Sequence, residues 1–460
     1  MGMLIGALSS VFWGLVLLSI LVFVHEGGHY LAARAFGVRV TEFFLGLPSR
    51  FKLSRKSKKC GTEFGVTVFM LGGYNRICGM EIAEDELLAP AFAIVQREGR
   101  VKVEDLAEEL GIDVDRAYAL LVGLADLAAI RPFYDPDLGE YPTQKEYPAS
   151  FETLARDANM LTEYDKGHDF SLPGSTEVAQ PRPLEDAEEQ LAQESAKTYR
   201  GIGFAKRLLI LCAGPLVNLI LAFVLVTGAF MAVEYEVLDN VNVVGTVTEG
   251  SIAQAAGLEA GDKILQVGEA SVSDWVDVSE ALRAACEVGE DFPLVYERDG
   301  KRHEVVIDLP QDQKVEAIGV RASTHTTHLT FGEAAKHAVD YAKMVGGVAV
   351  RLIMPQHTME VLEQSTSIVG VSVMASRAAS AGIFEVIALL AAVSMSLGFM
   401  NLLPIPPLDG GKMVIEVVQL LIRRPLSPKA QAALSYVGVA FFVFVFVFVL
   451  RNDILRFVLG

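Results

Sequence analysis

The sequence is poor in cysteine and has no excess of basic residues. Its four cysteines, Cys60, Cys78, Cys212 and Cys286, include no CxxC pair. This spacing indicates neither a redox motif nor a thiolate zinc site, and a chain of 460 residues with so few thiols is not expected to be a disulfide framework. The formal net charge is -18, which argues against nucleic acid as the main partner.

Apolar residues are abundant. They make up 52% of the chain, while charged residues make up 21%, and this mixture indicates membrane spans joined to soluble parts. Four runs approach the ~20 residues that cross a bilayer; they cover approximately residues 3–24, 208–233, 383–403 and 432–450. The first run lacks a basic start and a small-residue cleavage site, so we interpret it as a retained span rather than a signal peptide.

Basic residues cluster beside three ends of these spans. They follow the first span (34–59), precede the second (197–207) and lie between the third and fourth (423–429). The positive-inside rule predicts that these three regions are cytoplasmic. The N-terminus, residues 234–382 and the C-terminus are then expected outside.

The motif HEGGH lies directly after the first apolar run. His25 and His29 are spaced i, i+4, so on a helix both rings face the same way and can bind one zinc ion. Glu26 then lies close enough to take a proton from water at the metal. A chance match is the alternative, but these groups are costly at membrane depth unless they are used or paired.

A catalytic zinc site usually has three protein ligands, and Asp409 is the candidate for the third. It lies in NLLPIPPLDGGK at the predicted cytoplasmic end of the third span. The prolines of this segment end the helix, and Gly410 and Gly411 permit a sharp turn. Broken backbone at membrane depth is tolerated only when buried or lining a cavity, which favours a site over an ordinary helix end.

HEGGH and LDGG, together with AGPLVNLILAF (213–223) and MLGGYNRICGM (70–80), resemble the bacterial site-2 protease family of intramembrane zinc metalloproteases. The likeness is to the anti-sigma-factor-cleaving type, peptidase family M50. It implies one zinc ion per chain held by His25, His29 and Asp409, with Glu26 as general base. It also implies substrate handling by Asn218 and Asn401, for which a helix–helix hydrogen bond is the alternative.

The segment around residues 40–80 is predicted to form a membrane-associated β-hairpin. Alternating residues over 62–71 indicate a strand, and Gly72 and Gly73 are expected to turn it and to help bind substrate. Because a peptide bond in a membrane helix is shielded, the substrate must unwind, and an exposed strand edge could pair with it. A hairpin that only packs on the spans is the alternative.

The stretch VVGTVTEGSIAQAAGLEAGDKILQVGEASVSDW (243–275) resembles a permuted PDZ domain, which we place at 236–322. In that arrangement Ile318, Gly319 and Val320 would form the loop that holds a peptide carboxylate. A size filter that binds no peptide is the alternative. The following helical pattern at 332–353 predicts amphipathic helices that gate access, or else a plain connector.

Residues 81–200 contain 27 acidic and 11 basic residues. Residues 85–136 resemble a winged helix-turn-helix, but its recognition helix is too acidic for DNA, so we expect a cytoplasmic protein partner and no nucleic acid. We interpret 137–200, rich in Pro, Glu, Gln and Ser, as a flexible acidic linker.

The predicted fold is therefore a polytopic α-helical membrane protein with a β-hairpin, an extracytoplasmic α+β PDZ domain and a cytoplasmic winged-helix-like insert. Its parts are the first transmembrane helix (1–39), the hairpin loop (40–80), the insert (85–136), the linker (137–200), the second transmembrane helix (205–235), the PDZ domain (236–322), the gating helices (330–382), the third transmembrane segment (383–415) and the fourth transmembrane helix (430–455).

The predicted function is hydrolysis of peptide bonds in transmembrane segments of single-span substrates, in a bacterial inner membrane. By resemblance, the substrates are anti-sigma factors or remnant signal peptides. Two alternatives stay open. One is a metal-ion transporter using His25, His29 and Asp409, which would more often show repeats and acids along a pathway. The other is a catalytically silent PDZ and winged-helix scaffold, against which an intact Glu26 argues.

Overall fold

The computed structural model describes residues 2–70, 72–80, 85–142, 147–310, 315, 317–424 and 426–457. The helices are α1 (Gly2–Ala35), α2 (Leu88–Glu98), α3 (Val103–Leu110), α4 (Val114–Asp126), α5 (Ala187–Ala196), α6 (Phe204–Ala232), α7 (Ile252–Ala255), α8 (Trp275–Val288), α9 (Phe331–Ile353), α10 (Thr358–Gln364), α11 (Ile368–Ala381), α12 (Ile383–Asn401), α13 (Asp409–Ile422) and α14 (Pro428–Phe457). The strands are β1 (Val40–Leu45), β2 (Lys52–Lys56), β3 (Glu63–Thr67), β4 (Gly73–Ile77), β5 (Arg100–Lys102), β6 (Ile130–Phe133), β7 (Ser150–Thr153), β8 (Glu234–Leu238), β9 (Val244–Val247), β10 (Lys263–Val267), β11 (Ala270–Ser271), β12 (Phe292–Arg298), β13 (Lys301–Ile307), β14 (Val320–Ala322) and β15 (Thr324–His328).

Among the described residues, four helices are long and apolar enough to cross a membrane: α1, α6, α12 and α14. They coincide with the four apolar runs of the sequence. The first helix is longer than its apolar run, because it continues without a break from Val24 through HEGGH to Ala35. The zinc motif therefore lies inside a helix, which keeps the i, i+4 spacing of its histidines.

The segment after α1 is more than a hairpin. It forms a four-stranded sheet in the order β2-β3-β1-β4, with β1 parallel to β3 and antiparallel to β4. The predicted strand over 62–71 is shorter than expected: β3 ends at Thr67, and Gly73 opens β4 instead of turning a hairpin. The prediction of a simple hairpin is therefore wrong, because β1 lies between β3 and β4, two strands that follow it in the chain.

Residues 85–153 build a small α+β region. Three helices, α2, α3 and α4, pack on a sheet of order β5-β7-β6. Gly111, in the left-handed conformation, ends α3, and Asp113 caps α4 by accepting a hydrogen bond from the Arg116 backbone N–H. The core is apolar, with Phe92, Leu106 and other side chains fully buried.

The flexible linker predicted for 137–200 is wrong for the described residues of that range. Ser150–Thr153 forms the fully buried strand β7 at the centre of the sheet, and Ala187–Ala196 forms α5 against α2. Arg156 and Glu194 are fully buried and pair at 2.7 Å. The charged composition suggested solvated chain, but several of these charges neutralise one another inside the protein.

Residues Thr227–His337 form a compact unit separate from the rest of the chain. Within it, α8 packs on a sheet of order β11-β10-β12-β13. In two further pairs, β14-β9 and β15-β8, a strand near the start of the unit is paired with a strand near its end. Val244, Ile264, Leu294 and Ile307 are among its fully buried core residues. This is an α+β unit, as the sequence predicts for this region.

The stretch before α12 contains three helices, α9, α10 and α11, of which α9 covers the range 332–353 that has the helical pattern. The hydroxyl of Ser376 on α11 lies 2.8 Å from that of Ser9 on α1. At the N-terminus of α11, the backbone N–H groups of Ser367 and Gly370 donate to the carboxylate of Asp453 on α14. The helix α11 is therefore held against both the first and the last membrane helix.

Candidate metal centre and active site

Three ligand-type side chains meet between α1 and α13. The Nε2 atoms of His25 and His29 lie 3.3 Å apart, and each lies 3.1–3.2 Å from Oδ2 of Asp409. All three side chains are about nine-tenths buried. Helical spacing brings the two rings together, and 380 residues of intervening chain bring the carboxylate to them.

Asp409 reaches this position because the chain breaks between α12 and α13. The break, LLPIPPL, separates Asn401 from Asp409, which is the first residue of α13. Gly410 and Gly411 pack so closely on the backbone of this break that a side chain at either position would collide with it. Glycine at both positions thus lets α13 begin beside α1.

The arrangement fits a tetrahedral zinc ion. With bonds of about 2.0–2.1 Å, two ligand atoms of a zinc tetrahedron lie about 3.3–3.4 Å apart. The three observed separations, 3.1, 3.2 and 3.3 Å, are close to that edge length. Two imidazoles and one carboxylate are also a donor set typical of catalytic zinc, in which one position stays open. The residues present therefore fit the metal.

Each histidine has a partner at its second ring nitrogen. Nδ1 of His29 lies 2.8 Å from the carbonyl oxygen of Ile210, to which it can donate. Nδ1 of His25 lies 3.5 Å from the side-chain nitrogen of Asn218, while Asn218 Oδ1 is buried with no partner among the described residues. Turning this amide over exchanges its two atoms and gives His25 an acceptor as well. Such contacts fix the tautomer that leaves Nε2 free for a metal.

Glu26 is held by a residue that sequence reasoning missed. The side-chain nitrogen of Asn75 on β4 lies 2.6 Å from Oε2 of Glu26 and 3.0 Å from its backbone oxygen. The strand is brought close by Gly73, where a β-carbon would lie 2.7 Å from Val22 and 3.3 Å from Cγ of Glu26. The available signal was the GlyGly pair at the start of this strand, because glycine in a strand often marks a close backbone approach.

The two glycines of HEGGH differ in their surroundings. A β-carbon at Gly28 would collide with the backbone of Ala213 and Gly214 on α6, whereas one at Gly27 would meet nothing within 4 Å. A β-carbon at Gly214 would in turn collide with the ring of His29. The AGP segment of α6 therefore packs directly on the zinc motif.

The remaining predicted substrate-binding residues belong to three separate parts of the chain. Gly72 precedes β4, and its carbonyl accepts a hydrogen bond from the Gly46 N–H. Asn401 is the half-buried last residue of α12. In the separate α+β unit, Ile318 is buried, Gly319 has a positive φ of 92° and Val320 begins β14.

A buried ion-pair network joins the chain after α1 to residues 127–197. The guanidinium of Arg39, which is fully buried, donates to Asp165 at 2.6 and 2.8 Å, to Glu194 and to the carbonyl of Ala128. Burial opposes ionisation, but the pairing outweighs it, so the pKa of Arg39 is raised and the pKa values of Asp165 and Glu194 are held below their usual range. The segment that the sequence predicts to be a linker is thus anchored to Arg39, four residues beyond the end of α1.

Comparison with known proteins identifies the family. The model of peptidase family M50 matches residues 13–445. The chain belongs to peptidase family M50. Curated relatives include Zinc metalloprotease RasP of Shouchella clausii (strain KSM-K16), 26% identical over 457 residues with 96% of this chain and 97% of the relative covered. Others are Regulator of sigma-W protease RasP of Bacillus subtilis (strain 168), 25% identical over 454 residues (96% and 97%), and "Probable protease eep" of Enterococcus faecalis (strain ATCC 700802 / V583), 28% identical over 460 residues (96% and 98%).

Membership of this family confirms the main functional predictions. The chain is an integral membrane protein and an intramembrane zinc metalloprotease, with zinc as its cofactor. The transporter and scaffold alternatives are not favoured. The alignments cover 96% of the chain, so most of residues 81–200 lies within the span that these relatives share.

Proposed function

We propose that this zinc metalloprotease holds its metal with His25, His29 and Asp409 and uses Glu26 as its general base. The observation that carries the proposal is the convergence of the three ligand atoms within 3.3 Å of one another, next to a glutamate on the same helix. Bound zinc supplies Lewis-acid chemistry, which activates water and polarises a peptide carbonyl.

Glu26 moves the proton in this mechanism. Its carboxylate takes a proton from the attacking water and later gives it to the leaving amine, which is the usual work of a general base and acid. Asn75 holds this carboxylate in place by a 2.6 Å hydrogen bond. Asn218 and Ile210 orient the two imidazoles, and Asn401 is available to bind substrate backbone near the start of the chain break.

The substrate is an extended peptide segment that pairs with β4. This strand is an edge of its sheet, since only β1 pairs with it among the described residues. An edge strand offers unpaired N–H and C=O groups, and a peptide added there gains main-chain hydrogen bonds. Because Asn75 of β4 contacts Glu26, a peptide along this edge runs past the base. Gly72 and Gly73 add no side chain of their own here, and at Gly73 the nearest neighbours are Val22 and Glu26 of α1 and the Phe44 carbonyl.

The substrates we propose are single-span membrane proteins, cut within their transmembrane segments. The name of the Bacillus subtilis relative, Regulator of sigma-W protease, supports anti-sigma factors as one such class. Remnant signal peptides are a second class with the same chemistry, because each presents a single apolar helix in the bilayer.

The basic clusters support the orientation proposed from the sequence, in a bacterial inner membrane. Residues 34–59, 197–207 and 423–429 are then cytoplasmic, and the unit Thr227–His337 is extracytoplasmic. The zinc ligands come after most of α1 and after α12, so cleavage takes place near the cytoplasmic face.

The extracytoplasmic unit is proposed to be a PDZ domain over 236–322. Its strands β9 and β14 pair beside the segment Ile318–Val320, whose positive-φ Gly319 makes a tight turn. A turn of this kind presents backbone N–H groups, the feature that holds a peptide carboxylate in PDZ recognition. A substrate end captured here would be retained near the protease.

Residues 85–136, with β7 added, are proposed to form a winged-helix-like module that binds a cytoplasmic protein. The order α2, β5, α3, α4, β6, β7 supports this assignment. Acidic residues dominate its sequence, which disfavours the phosphate contacts that nucleic acid requires. We therefore propose no nucleic-acid partner.

The test is Glu26→Gln in the full chain, reconstituted in liposomes with a model single-span substrate. We expect stoichiometric zinc by elemental analysis, an unchanged unfolding temperature and no cleavage. Glu63→Gln, on the sheet but away from the zinc ligands, is the matched control and should cleave normally. Cleavage by the Glu26→Gln protein would disprove the role of this base, and zinc flux across the liposomes would favour a transporter.

A further inference from the structure

The amide of Asn75 has one fixed orientation. Both groups that its nitrogen approaches, the carboxylate and the backbone oxygen of Glu26, can only accept hydrogen bonds. Exchanging the two amide atoms would place two oxygens against each other. Nδ2 therefore faces Glu26, and Oδ1 faces away from it.

That oxygen has no partner in the part of the chain that the structure describes. Oδ1 of Asn75 is buried, and among the residues that the structure describes no group donates to it. A buried carbonyl oxygen without a hydrogen bond is costly and calls for an explanation, such as a function in binding. Both hydrogens of Nδ2 are already donated to Glu26. Oδ1 is therefore the part of the side chain that is left to form a hydrogen bond.

The position of this oxygen indicates which kind of group donates a hydrogen bond to it. Asn75 is the middle residue of β4, the edge strand that we propose to pair with substrate. An extended peptide beside that edge carries backbone N–H groups at strand spacing. Such an N–H is a neutral donor of the kind a lone amide oxygen accepts.

We propose that Asn75 has two roles in catalysis: its Nδ2 positions the carboxylate of Glu26, and its Oδ1 accepts a backbone N–H of the extended substrate. This inference rests on the proposed function, since it presumes that Glu26 is the base and that peptide pairs with β4. One rigid side chain then joins arrival of the substrate to the orientation of the base. A peptide that does not extend far enough to reach Oδ1 lacks this one hydrogen bond to the residue that holds Glu26.

Two substitutions separate the roles. Asn75→Val introduces a branched side chain of similar size that suits a strand and removes both donor and acceptor, whereas Asn75→Asp keeps an oxygen acceptor and, when ionised, removes the donor. Thr41→Ala is the control, because Thr41 also donates to β4, at 3.4 Å to the Arg76 carbonyl, without touching Glu26. All proteins are measured at full length in liposomes for zinc content, kcat and KM on one model substrate.

We expect all variants to keep one zinc ion. Asn75→Asp should lower kcat by about 10–100-fold, the cost typical of a displaced catalytic group, with KM within twofold of the original. Asn75→Val should lower kcat similarly and raise KM by about fivefold, the loss of one neutral hydrogen bond. Thr41→Ala should change neither constant by more than twofold.

A measurement without zinc tests the contact itself. In metal-free protein, Asn75→Val, Glu26→Ala and the double variant form a thermodynamic cycle in unfolding temperature. The decreases in unfolding temperature of the two single variants should sum to more than the decrease of the double variant, because each single change removes the same hydrogen bond.

The outcomes distinguish this inference from the proposed function. If the unmodified protein with zinc fails to cleave, or Glu26→Gln cleaves, the proposed function is wrong. If cleavage follows the proposed function but kcat of Asn75→Val and Asn75→Asp matches the Thr41→Ala control, or the cycle is additive, the positioning role is overturned. If KM rises equally in Asp and Val variants, the substrate contact of Oδ1 is overturned.

Discussion

Gly214 on α6 lies directly against the imidazole of His29 on α1. A β-carbon at position 214 would approach Cε1 of that ring to 2.7 Å and Cδ2 to 2.8 Å. Real β-carbons do not approach other atoms this closely, so even a methyl group requires the ring to move. The second membrane helix thus fixes the position of a proposed zinc ligand by lacking a side chain.

Gly214→Ala is therefore expected to weaken zinc binding by at least about 10-fold, the smaller end of the cost of disturbing a ligand's support. Zinc affinity is measured by competition with a chelator in detergent. Gly228→Ala, at a position of the same helix where a β-carbon meets nothing within 4 Å, is the control and should bind zinc normally. Equal affinities for the two variants would contradict the packing described.

Asp409→Ala removes a proposed ligand, and its effect on zinc should be larger. We expect affinity to fall by more than about 100-fold, since losing an outer partner alone costs 10–100-fold. Glu416→Gln changes another buried acid of α13, which pairs with Arg207 at 3.4 Å, and should leave zinc stoichiometric. Unchanged affinity in the Asp409→Ala protein would show that the third ligand lies elsewhere.

Arg39→Met leaves Asp165 and Glu194 buried without their shared cation. Breaking a buried pair in this way costs about 3–5 kcal/mol, so we expect a lower unfolding temperature and rapid proteolysis within residues 137–200. Lys56→Met breaks the more exposed pair with Glu163 and is the control. If both variants resist protease equally, the network does not hold this segment.

The same network predicts a pH dependence. The pKa values of Asp165 and Glu194 are lowered in the folded protein from ordinary values of 3.8 and 4.5. Their stabilisation is therefore complete above about pH 5 and is lost as the pH falls through the lowered folded values. The difference in unfolding temperature between the unmodified protein and Arg39→Met should accordingly be largest near neutral pH and shrink as the solution becomes more acid. A difference that grows on acidification would contradict the sign of these shifts.

The convergence of the three candidate zinc ligands could be predicted from the sequence, because the residues that carry it are close in sequence or unusual in a membrane span. Spacing of i, i+4 brings His25 and His29 together on any helix, and an acid such as Asp409 is rare beside a broken membrane span. The four spans were predictable for the same reason, since hydropathy alone selects them.

What the sequence could not reveal depends on pairing between distant residues. The parallel contact of β1 with β3 depends on chain that returns to the sheet, and no local alternation predicts it. In the sequence Asn75 is an ordinary polar residue, because its contact with Glu26 depends on the packing of β4 against α1. Residues 137–200 looked like solvated chain because composition does not show which charges pair: Arg39, which lies outside that segment, contacts both Asp165 and Glu194.

The two glycines of HEGGH have different surroundings, so two sides of α1 differ in how closely they are packed. On the Gly28 side, backbone lies against backbone of α6, so neither helix can slide or roll without collision. On the Gly27 side there is open space next to Glu26. The helix therefore has one side fixed by backbone contact with α6 and one side on which an added side chain would meet no neighbour.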